Sequence, residues 1–262
     1  MSGLENNEFS RKINPEFVEL AKAFTYEKMY DDDKINMPYR FFSPNLEDEK
    51  EYPLVIYIHG AGERGDDNEM NLVGYIGGTI FSTIEHQKEN PCFILVPQIP
   101  MITGISMLIK YMECLRKEVV KTVKDYPIDR KRIYITGISM GAIATYYLIA
   151  HAPDLFAAAM PICGAAPLER LRAIQNVPIW AFHAADDIQI PVENAGTKDG
   201  YDMYGTRAII SFLKENGYKN LHYTEYPKGY IQEKYDLSDS HPSWEEAYRN
   251  EEAIAWLFKQ VK

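Results

Sequence analysis

The sequence has few cysteines and no cysteine motif. Three of its 262 residues are cysteine, namely Cys92, Cys114 and Cys163. The number is odd and no CxxC pair occurs, which excludes a disulfide scaffold. Cys92 and Cys163 fall in apolar stretches, so we expect them to be buried free thiols.

Positive charge is also scarce. The chain has 28 Lys and Arg against 38 Asp and Glu, a formal net charge of −10. Nucleic-acid affinity comes largely from cations that neutralise phosphates, and anionic lipid attracts the same residues. The composition therefore predicts no nucleic-acid partner and no membrane partner.

No apolar run is long enough to cross a bilayer. The longest, residues 93–109, is interrupted by Pro97 and Pro100, whereas a spanning helix needs about 20 consecutive apolar residues. The first eight residues have neither the basic start nor the apolar stretch of a leader. We expect a cytoplasmic location for the chain as it stands, and a secreted one if a leader preceded it.

Internal repeats, low-complexity segments and Gly/Ser-rich linkers are absent from the sequence. We therefore expect an N-terminal extension over residues 1–20 and one catalytic domain over residues 21–262. The oligomeric state is left open by the sequence.

Short apolar runs alternate with segments of helical periodicity. Runs bounded by Pro, Gly or polar residues are typical of strands buried on both faces. The pattern predicts strands at residues 22–30, 36–42, 53–59, 92–96, 132–136, 157–162, 178–183 and 221–226, and helices at residues 106–124, 140–151, 206–216 and 244–260. We expect an α/β fold whose mostly parallel central sheet carries helices on both faces, with an N-terminal antiparallel hairpin that turns at residues 31–34.

A GxSxG motif follows the predicted strand at 132–136. It reads Gly-Ile-Ser-Met-Gly at residues 137–141 and leads directly into an apolar helix. A serine on such a sharp strand-to-helix turn needs small neighbours, and the turn lifts its hydroxyl above the sheet. Ser139 is therefore the candidate nucleophile.

A serine hydroxyl needs a base, and in this architecture the acid and then the histidine follow the serine in the chain. His241 follows the candidate acids in the chain and so fits this order. Pro242 favours an extended conformation at His241, and the capping-box pattern of Ser243 and Glu246 starts a helix at Trp244. His241 is therefore expected on the loop just before that helix. His222, inside a predicted strand, is the weaker candidate. The acid is expected after the strand at 178–183, where Asp186 and Asp187 both stand.

An oxyanion needs two preorganised N–H donors. The backbone of Met140, directly after the serine, supplies one by position. The other is expected from the glycine-rich loop after the strand at 53–59, from Ala61 or, as second choice, Gly62. We expect His59 to be structural, and Glu63 and Arg64 to form an internal ion pair rather than to contact substrate.

Six segments together resemble one family. They are HGAGERG at 59–65, VPQ at 96–98, RIYITGISMG at 132–141, IWAFHAADD at 179–187, YTEYP at 223–227 and HPSW at 241–244. Over residues 50–260 the chain resembles α/β-hydrolases of the serine carboxylesterase type. Within these it is similar to the branch of feruloyl and acetyl-xylan esterases, predicted peptidases and polyhydroxybutyrate depolymerases.

The resemblance implies Ser139 as nucleophile, His241 as base and Asp187 as acid, since the family's acid stands four residues before a proline, here Pro191. It implies neither a cofactor nor a metal. The chain departs from the family at Ile99, where a cysteine is usual, and lacks the tryptophan that often follows.

We expect a serine esterase without a large lid that acts on small or polysaccharide-linked esters, with acetyl or hydroxycinnamoyl (feruloyl) esters on plant polysaccharide favoured. A peptidase for short peptides and a non-catalytic binding protein on a hydrolase scaffold are the alternatives. The segments at residues 193–204 and 228–240 either line a pocket for an aromatic acyl group or a sugar, or form ordinary surface loops.

Overall fold

A computed structural model describes residues 13–30, 35–102, 104–174 and 177–262. Its strands are β1 (Thr25–Tyr30), β2 (Asn36–Phe42), β3 (Tyr52–Ile58), β4 (Phe93–Pro97), β5 (Ile128–Ile138), β6 (Ala158–Ile162), β7 (Ala165–Ala166), β8 (Ile179–Ala184), β9 (Asn194–Lys198), β10 (Tyr201–Gly205) and β11 (Leu221–Tyr226).

Its α-helices are α1 (Pro15–Ala21), α2 (Met70–Val73), α3 (Ile84–Glu89), α4 (Ile105–Asp125), α5 (Met140–His151), α6 (Leu168–Leu171), α7 (Thr206–Glu215), α8 (Tyr230–Tyr235), α9 (Trp244–Ala247) and α10 (Glu251–Lys259). Short 3-10 turns lie at Ala61–Glu63, Ile76–Gly78, Ile80–Ser82 and Pro153–Leu155.

Eight strands form the central sheet in the order β1-β2-β4-β3-β5-β6-β8-β11. The β1–β2 and β2–β4 pairs are antiparallel and the remaining pairs are parallel. This is the α/β-hydrolase architecture, with the N-terminal hairpin that the sequence predicts. The predicted turn at residues 31–34 and most of the predicted extension, residues 1–12, lie outside the described residues.

Helices cover the sheet on both faces because its central strands are apolar on both sides. Along β3, Leu54 and Ile56 point into one core with residues of α4, α5 and α7. Val55 and Tyr57 point into the other, with residues of α2, α9 and α10. All four side chains are almost wholly buried. The continuous apolar runs are thus strands buried on both faces, as the sequence pattern predicts.

A second, three-stranded antiparallel sheet in the order β7-β10-β9 lies beside the main sheet. Its β9–β10 hairpin forms most of the segment 193–204, for which the sequence left a pocket lining and a surface loop as the options. The Asp199 carboxylate at the hairpin tip accepts hydrogen bonds from the backbone N–H groups of Ile105 and Ser106, the latter at 3.2 Å. The hairpin is therefore tied to the first turn of α4.

The prediction of one helix over residues 244–260 is wrong. The structure has two helices, α9 and α10, with Asn250 as the N-cap of the second; its side chain accepts from the Ala253 N–H at 3.0 Å. An asparagine side chain that bonds the backbone in this way starts a new helix rather than continuing an old one. The predicted capping box also fails, since Ser243 makes no side-chain cap bond.

The carboxyl ends of the parallel strands meet at one edge of the sheet, and the candidate site residues gather there. Ser139 directly follows β5, Ala61 follows β3 by three residues, and Asp187 follows β8 by three. Across the described ranges, no helix is both long and apolar enough to cross a membrane.

Candidate active site

Ser139 occupies the tight turn between β5 and α5. Its backbone has φ +52° and ψ −115°, a conformation that residues other than glycine rarely adopt. The flanking glycines are required by close packing. A Cβ on Gly137 would meet the Gly141 carbonyl, and one on Gly141 would run into the Ile58 carbonyl of β3. The motif thus lets α5 approach the sheet while the serine stands at its edge.

His241 links Ser139 to Asp187. Its Nε2 lies 2.9 Å from Ser139 Oγ, and its Nδ1 lies 2.6 Å from Asp187 Oδ2. Two contacts fix its position: its backbone N–H donates to Asp239 Oδ1 at 2.7 Å, and the Trp244 ring packs edge-on with ring centres 5.4 Å apart. The structure therefore brings together the three side chains expected from the sequence, in the order serine, histidine, carboxylate.

Asp187 is buried and fully hydrogen-bonded. Its Oδ1 accepts from the backbone N–H groups of Gln189 and Ile190 at 2.8 and 2.9 Å, and its Oδ2 faces two histidines. Burial acts to raise the pKa of Asp187, but the hydrogen bonds from His183 and His241 outweigh it and hold the pKa well below the usual range. The group is thus a carboxylate at neutral pH.

Asp186, the other candidate acid, serves a different purpose. Its Oδ2 accepts from the Gly229 N–H at 2.9 Å and so joins this loop to the start of α8. The geometry distinguishes the two neighbouring aspartates, which the local sequence could not do.

His183 is a site residue that sequence reasoning passed over. It is fully buried on β8, and its Nε2 lies 3.0 Å from Asp187 Oδ2 and 2.9 Å from the Ile190 carbonyl. Two acceptors at Nε2 require a proton there, so Nδ1 accepts from the Thr206 hydroxyl at 2.8 Å. The only signal in the sequence was its place at the end of a strand, four residues before Asp187.

The two expected oxyanion donors each begin a helical turn. Met140 is the first residue of α5, and Ala61 is the first of the 3-10 turn Ala61–Glu63. The first N–H groups of a helix lack partners within it and are free to bind an anion. Both residues line one pocket with Ser139 and His241, whereas Gly62, the second choice, is not among the residues that line it.

Buried polar contacts hold the loop that carries Ala61. The His59 ring donates from Nδ1 to the Gly60 carbonyl at 2.6 Å and accepts the Ile99 N–H at Nε2 at 2.8 Å. Buried Gln98 donates to the Glu63 carbonyl at 3.1 Å. These bonds give His59 the structural role expected of it and explain why the loop needs the segment after β4.

Arg64 does not form the expected ion pair with Glu63. Its Nε donates to the Ala61 carbonyl at 2.6 Å, and its Nη1 donates to the Ile102 carbonyl at 3.0 Å. The guanidinium thus bridges two loops at the mouth of the site.

The pocket above Ser139 has a volume of about 300 Å³ and is open to solvent. Ile102, Ile105, Leu108 and Ile143 form its apolar wall, and a smaller apolar cavity of about 30 Å³ lies beyond the last three. The β9–β10 hairpin contributes Lys198 to the rim.

The other flanking segment, residues 228–240, contains α8 rather than a loop, and its tyrosines do not line this pocket. The Tyr230 and Tyr235 hydroxyls donate to Glu246 at 3.1 and 2.7 Å.

Cys163 is the remaining group beside these side chains. Its sulfur and one atom each of Asp187 and His241 lie within 4.8 Å of one another, a set that could in principle hold a metal. However, burial raises the pKa of the Cys163 thiol well above its usual value, whereas metals bind the thiolate. His241 and Asp187 are moreover already bonded to each other, so the set does not fit a metal centre.

Several known proteins are similar to this chain. A crystal structure of a thermostable esterase superposes with a TM-score of 0.84 at 37% identity, covering 93% of this chain and 64% of that one. Poly(3-hydroxyalkanoate) depolymerase C of Paucimonas lemoignei is 30% identical over 119 residues, 43% of this chain and 28% of the relative. A bifunctional acetylxylan esterase/xylanase of Neocallimastix patriciarum is 36% identical over 64 residues, 24% of this chain and 10% of the relative.

The chain thus spans less than two thirds of each of these proteins. The sequence pattern of one family, described as phospholipase/carboxylesterase, matches residues 45–201, which hold the Ala61 loop, the serine turn and Asp187. The chain therefore belongs to the phospholipase/carboxylesterase family of α/β-hydrolases.

Proposed function

We propose that this protein hydrolyses carboxylic esters through an acyl-enzyme formed on Ser139. The observation that carries the proposal is the unbroken series of contacts from Ser139 Oγ through the His241 ring to the Asp187 carboxylate, at 2.9 and 2.6 Å. Ser139 and His241 line an open pocket, and Asp187 is buried behind His241. Each group is already within hydrogen-bond distance of the atom with which it exchanges or shares a proton.

In the first half-reaction, His241 Nε2 takes the hydroxyl proton as Ser139 Oγ attacks the ester carbonyl. Asp187 holds the ring with its proton on Nδ1 and stabilises the imidazolium that forms. The N–H groups of Met140 and Ala61 receive the negative charge on the carbonyl oxygen. His241 then gives its proton to the departing alcohol. Water attacks the acyl-enzyme with the same base, releasing the acid and restoring Ser139.

Acetyl or hydroxycinnamoyl esters on plant polysaccharide are the substrates we favour. An open pocket admits an ester attached to a bulky chain, and its apolar wall suits a small or flat acyl group. The match to an acetylxylan esterase supports the same class, although it covers 64 residues. The wall of the pocket consists of aliphatic side chains, so the smaller acetyl group has the simpler fit.

The test compares wild type with Ser139→Ala on a panel of esters: p-nitrophenyl acetate, a longer p-nitrophenyl ester, methyl ferulate, acetylated xylan and a peptide anilide. We expect Ser139→Ala to lower kcat by at least ~10³-fold, as the loss of a triad serine does. Ser211→Ala, on the exposed side of α7, is the matched control and should leave turnover unchanged.

Three outcomes would contradict the proposal. Turnover that persists in Ser139→Ala would exclude the nucleophile. Cleavage of the anilide alone would indicate a peptidase. Absence of Ser139-dependent release from every compound would indicate a binding protein on a hydrolase scaffold.

A further inference from the structure

The pocket above Ser139 carries positive charge in a protein that is otherwise acidic. Apart from His241, the ionisable residues that line it in the described part of the chain are Arg64 and Lys198, and no carboxylate lines it. The whole chain has ten more acidic than basic residues. A pocket with two cations and no acid therefore runs against the composition of the molecule.

Arg64 has hydrogen-bonding capacity to spare. Its Nε and Nη1 bind the carbonyls of Ala61 and Ile102, while Nη2 has no protein partner among the described residues. A guanidinium held by two backbone bonds is fixed in place and keeps its charge at any physiological pH. Because one of those bonds is to Ala61, the charge stands next to the proposed oxyanion donor.

Lys198 stands at the end of β9 on the pocket rim. Its backbone pairs with Tyr201 in the hairpin, but within the described ranges its ammonium group has neither a hydrogen bond nor an ion pair, although the next residue in the chain is Asp199. That carboxylate is engaged by the N–H groups of Ile105 and Ser106. On the His241 side, Asp187 is bonded to the His241 ring, and Asp239 is engaged by the His241 N–H at 2.7 Å and by the Gln189 amide at 2.9 Å.

We infer that this pocket is built for esters that carry a carboxylate, which Arg64 and Lys198 bind. The inference rests on the proposed esterase function and narrows its substrate class. The carboxylate belongs either to the alcohol part of the ester, as in an acetylated acidic sugar, or to the acyl part, as in a half-ester of a dicarboxylic acid. The Nη2 group of Arg64 has N–H donors left for a carboxylate, and the Lys198 ammonium adds electrostatic attraction from the rim.

The experiment uses two matched pairs of esters. 4-Acetoxybenzoate and its neutral amide, 4-acetoxybenzamide, test the alcohol part. Ethyl hydrogen adipate and its neutral amide, ethyl adipamate, test the acyl part. For one pair or the other, we expect kcat/KM at low ionic strength to favour the carboxylate by about 10-fold, in spite of the negative charge of the protein. The ratio should shrink as salt is added, because exposed charges are screened.

Lys198→Gln should reduce this ratio by about 5-fold, which is the upper range for one exposed charge pair. Lys219→Gln is the control, since it makes the same change in net charge away from the pocket. Lys219 precedes β11 and so lies at the amino ends of the parallel strands, whereas the site lies at their carboxyl ends. This variant should leave the ratio unchanged.

The pair that shows the preference identifies which part of the ester carries the carboxylate. Equal rates within both pairs, a preference for the amides, or equal effects of the two lysine variants would overturn the inference while leaving the esterase function intact. Binding to Ser139→Ala, measured by titration calorimetry with 4-acetoxybenzoate and its amide, is independent of turnover. If no ester is hydrolysed at all, tighter binding of the carboxylate still supports the anion subsite, and equal binding removes it.

Discussion

At the scale of single residues, the low pKa of the Asp187 carboxylate depends on the hydrogen-bond donors that surround it. Asp187 receives two backbone N–H groups on one oxygen and two histidines on the other. His241 is the partner that must change its protonation during turnover. His183 faces two acceptors at Nε2, namely Asp187 Oδ2 and the Ile190 carbonyl, so that nitrogen acts as a donor. We therefore assign His183 as a positioning residue that acts through Asp187.

Replacing His183 should change both the rate and its pH dependence. His183→Leu removes a hydrogen bond to a charged group, worth ~1.5–3 kcal/mol, so we expect kcat to fall by about 10- to 100-fold. With one donor fewer, the Asp187 carboxylate attracts the proton of His241 more strongly, and the acid limb of the kcat–pH profile should move to higher pH.

His183→Gln is the matched variant, because its amide can donate from nearly the position of the ring Nε2. It should recover part of the rate and most of the profile. A purely structural role would instead lower the amount of folded enzyme without moving the acid limb.

At the scale of elements, the β9–β10 hairpin owes its position beside the active site to one carboxylate. The residue that caps α4 is not its own N-cap, Gly104, which offers no side chain, but Asp199, more than ninety positions further along the chain. A cap of this kind joins two elements as well as satisfying one helix. It sets the place of Lys198 relative to the apolar wall of the pocket, which includes Ile105.

Loss of this cap should loosen the hairpin. For Asp199→Ala we expect the free energy of unfolding to fall by ~0.5–2 kcal/mol, the usual worth of a helix cap. The amides of Ile105 and Ser106 should exchange faster with deuterium, because they lose their acceptor.

Asp202→Ala is the control on the same hairpin. It removes a contact to the Thr197 hydroxyl at 3.0 Å that stays within the hairpin. Exchange at Ile105 that is equally fast in the two variants would contradict the role assigned to Asp199.

At the scale of the whole molecule, the buried Asp187 couples folding to pH. Its pKa lies below the ordinary aspartate value of ~3.9, so the folded state binds this proton less readily than the unfolded state does. A lowered pKa stabilises the folded protein above pH ~4, and the contribution is lost as the pH falls through the folded-state value.

Asp187→Asn lacks this titration. The difference in the free energy of unfolding between wild type and Asp187→Asn should therefore shrink as the pH is lowered from 6 to 3, as measured by denaturant titration at each pH. Ser139→Ala retains Asp187 and serves as the inactive control, whose pH dependence should follow wild type. A difference that stays constant over this range would exclude the carboxylate as a source of acid sensitivity.

The predictable parts of the molecule are those whose signal is local. Strands such as β3 and β4 are apolar on both faces, and the serine turn has steric needs that its glycines reveal. The β9–β10 hairpin was not predicted because its residues are mostly exposed and show no clear alternation, and β7 has only two residues. The break between α9 and α10 depends on Asn250, a residue whose side-chain bond competes with a helical pattern that otherwise continues.

The site residues likewise divide into those that the local sequence predicts and those that it does not. Ser139 and His241 have neighbours in the sequence that mark them, whereas the choice between Asp186 and Asp187 needed a family resemblance. The roles of His183 and Asp199 depend on contacts that form only in the folded chain. Arg64 donates to backbone carbonyls, which a pattern of side chains in the sequence cannot predict. Such roles depend on the folded arrangement.

The backbone of Ser139 puts folding and chemistry in opposition at one position. A residue with a side chain at φ +52° costs the folded state ~1–3 kcal/mol, a strain that glycine would avoid. Selection for thermal stability alone would therefore favour replacement of Ser139 by glycine. The proposed role of Ser139 as nucleophile accounts for a serine at this turn in spite of the strain.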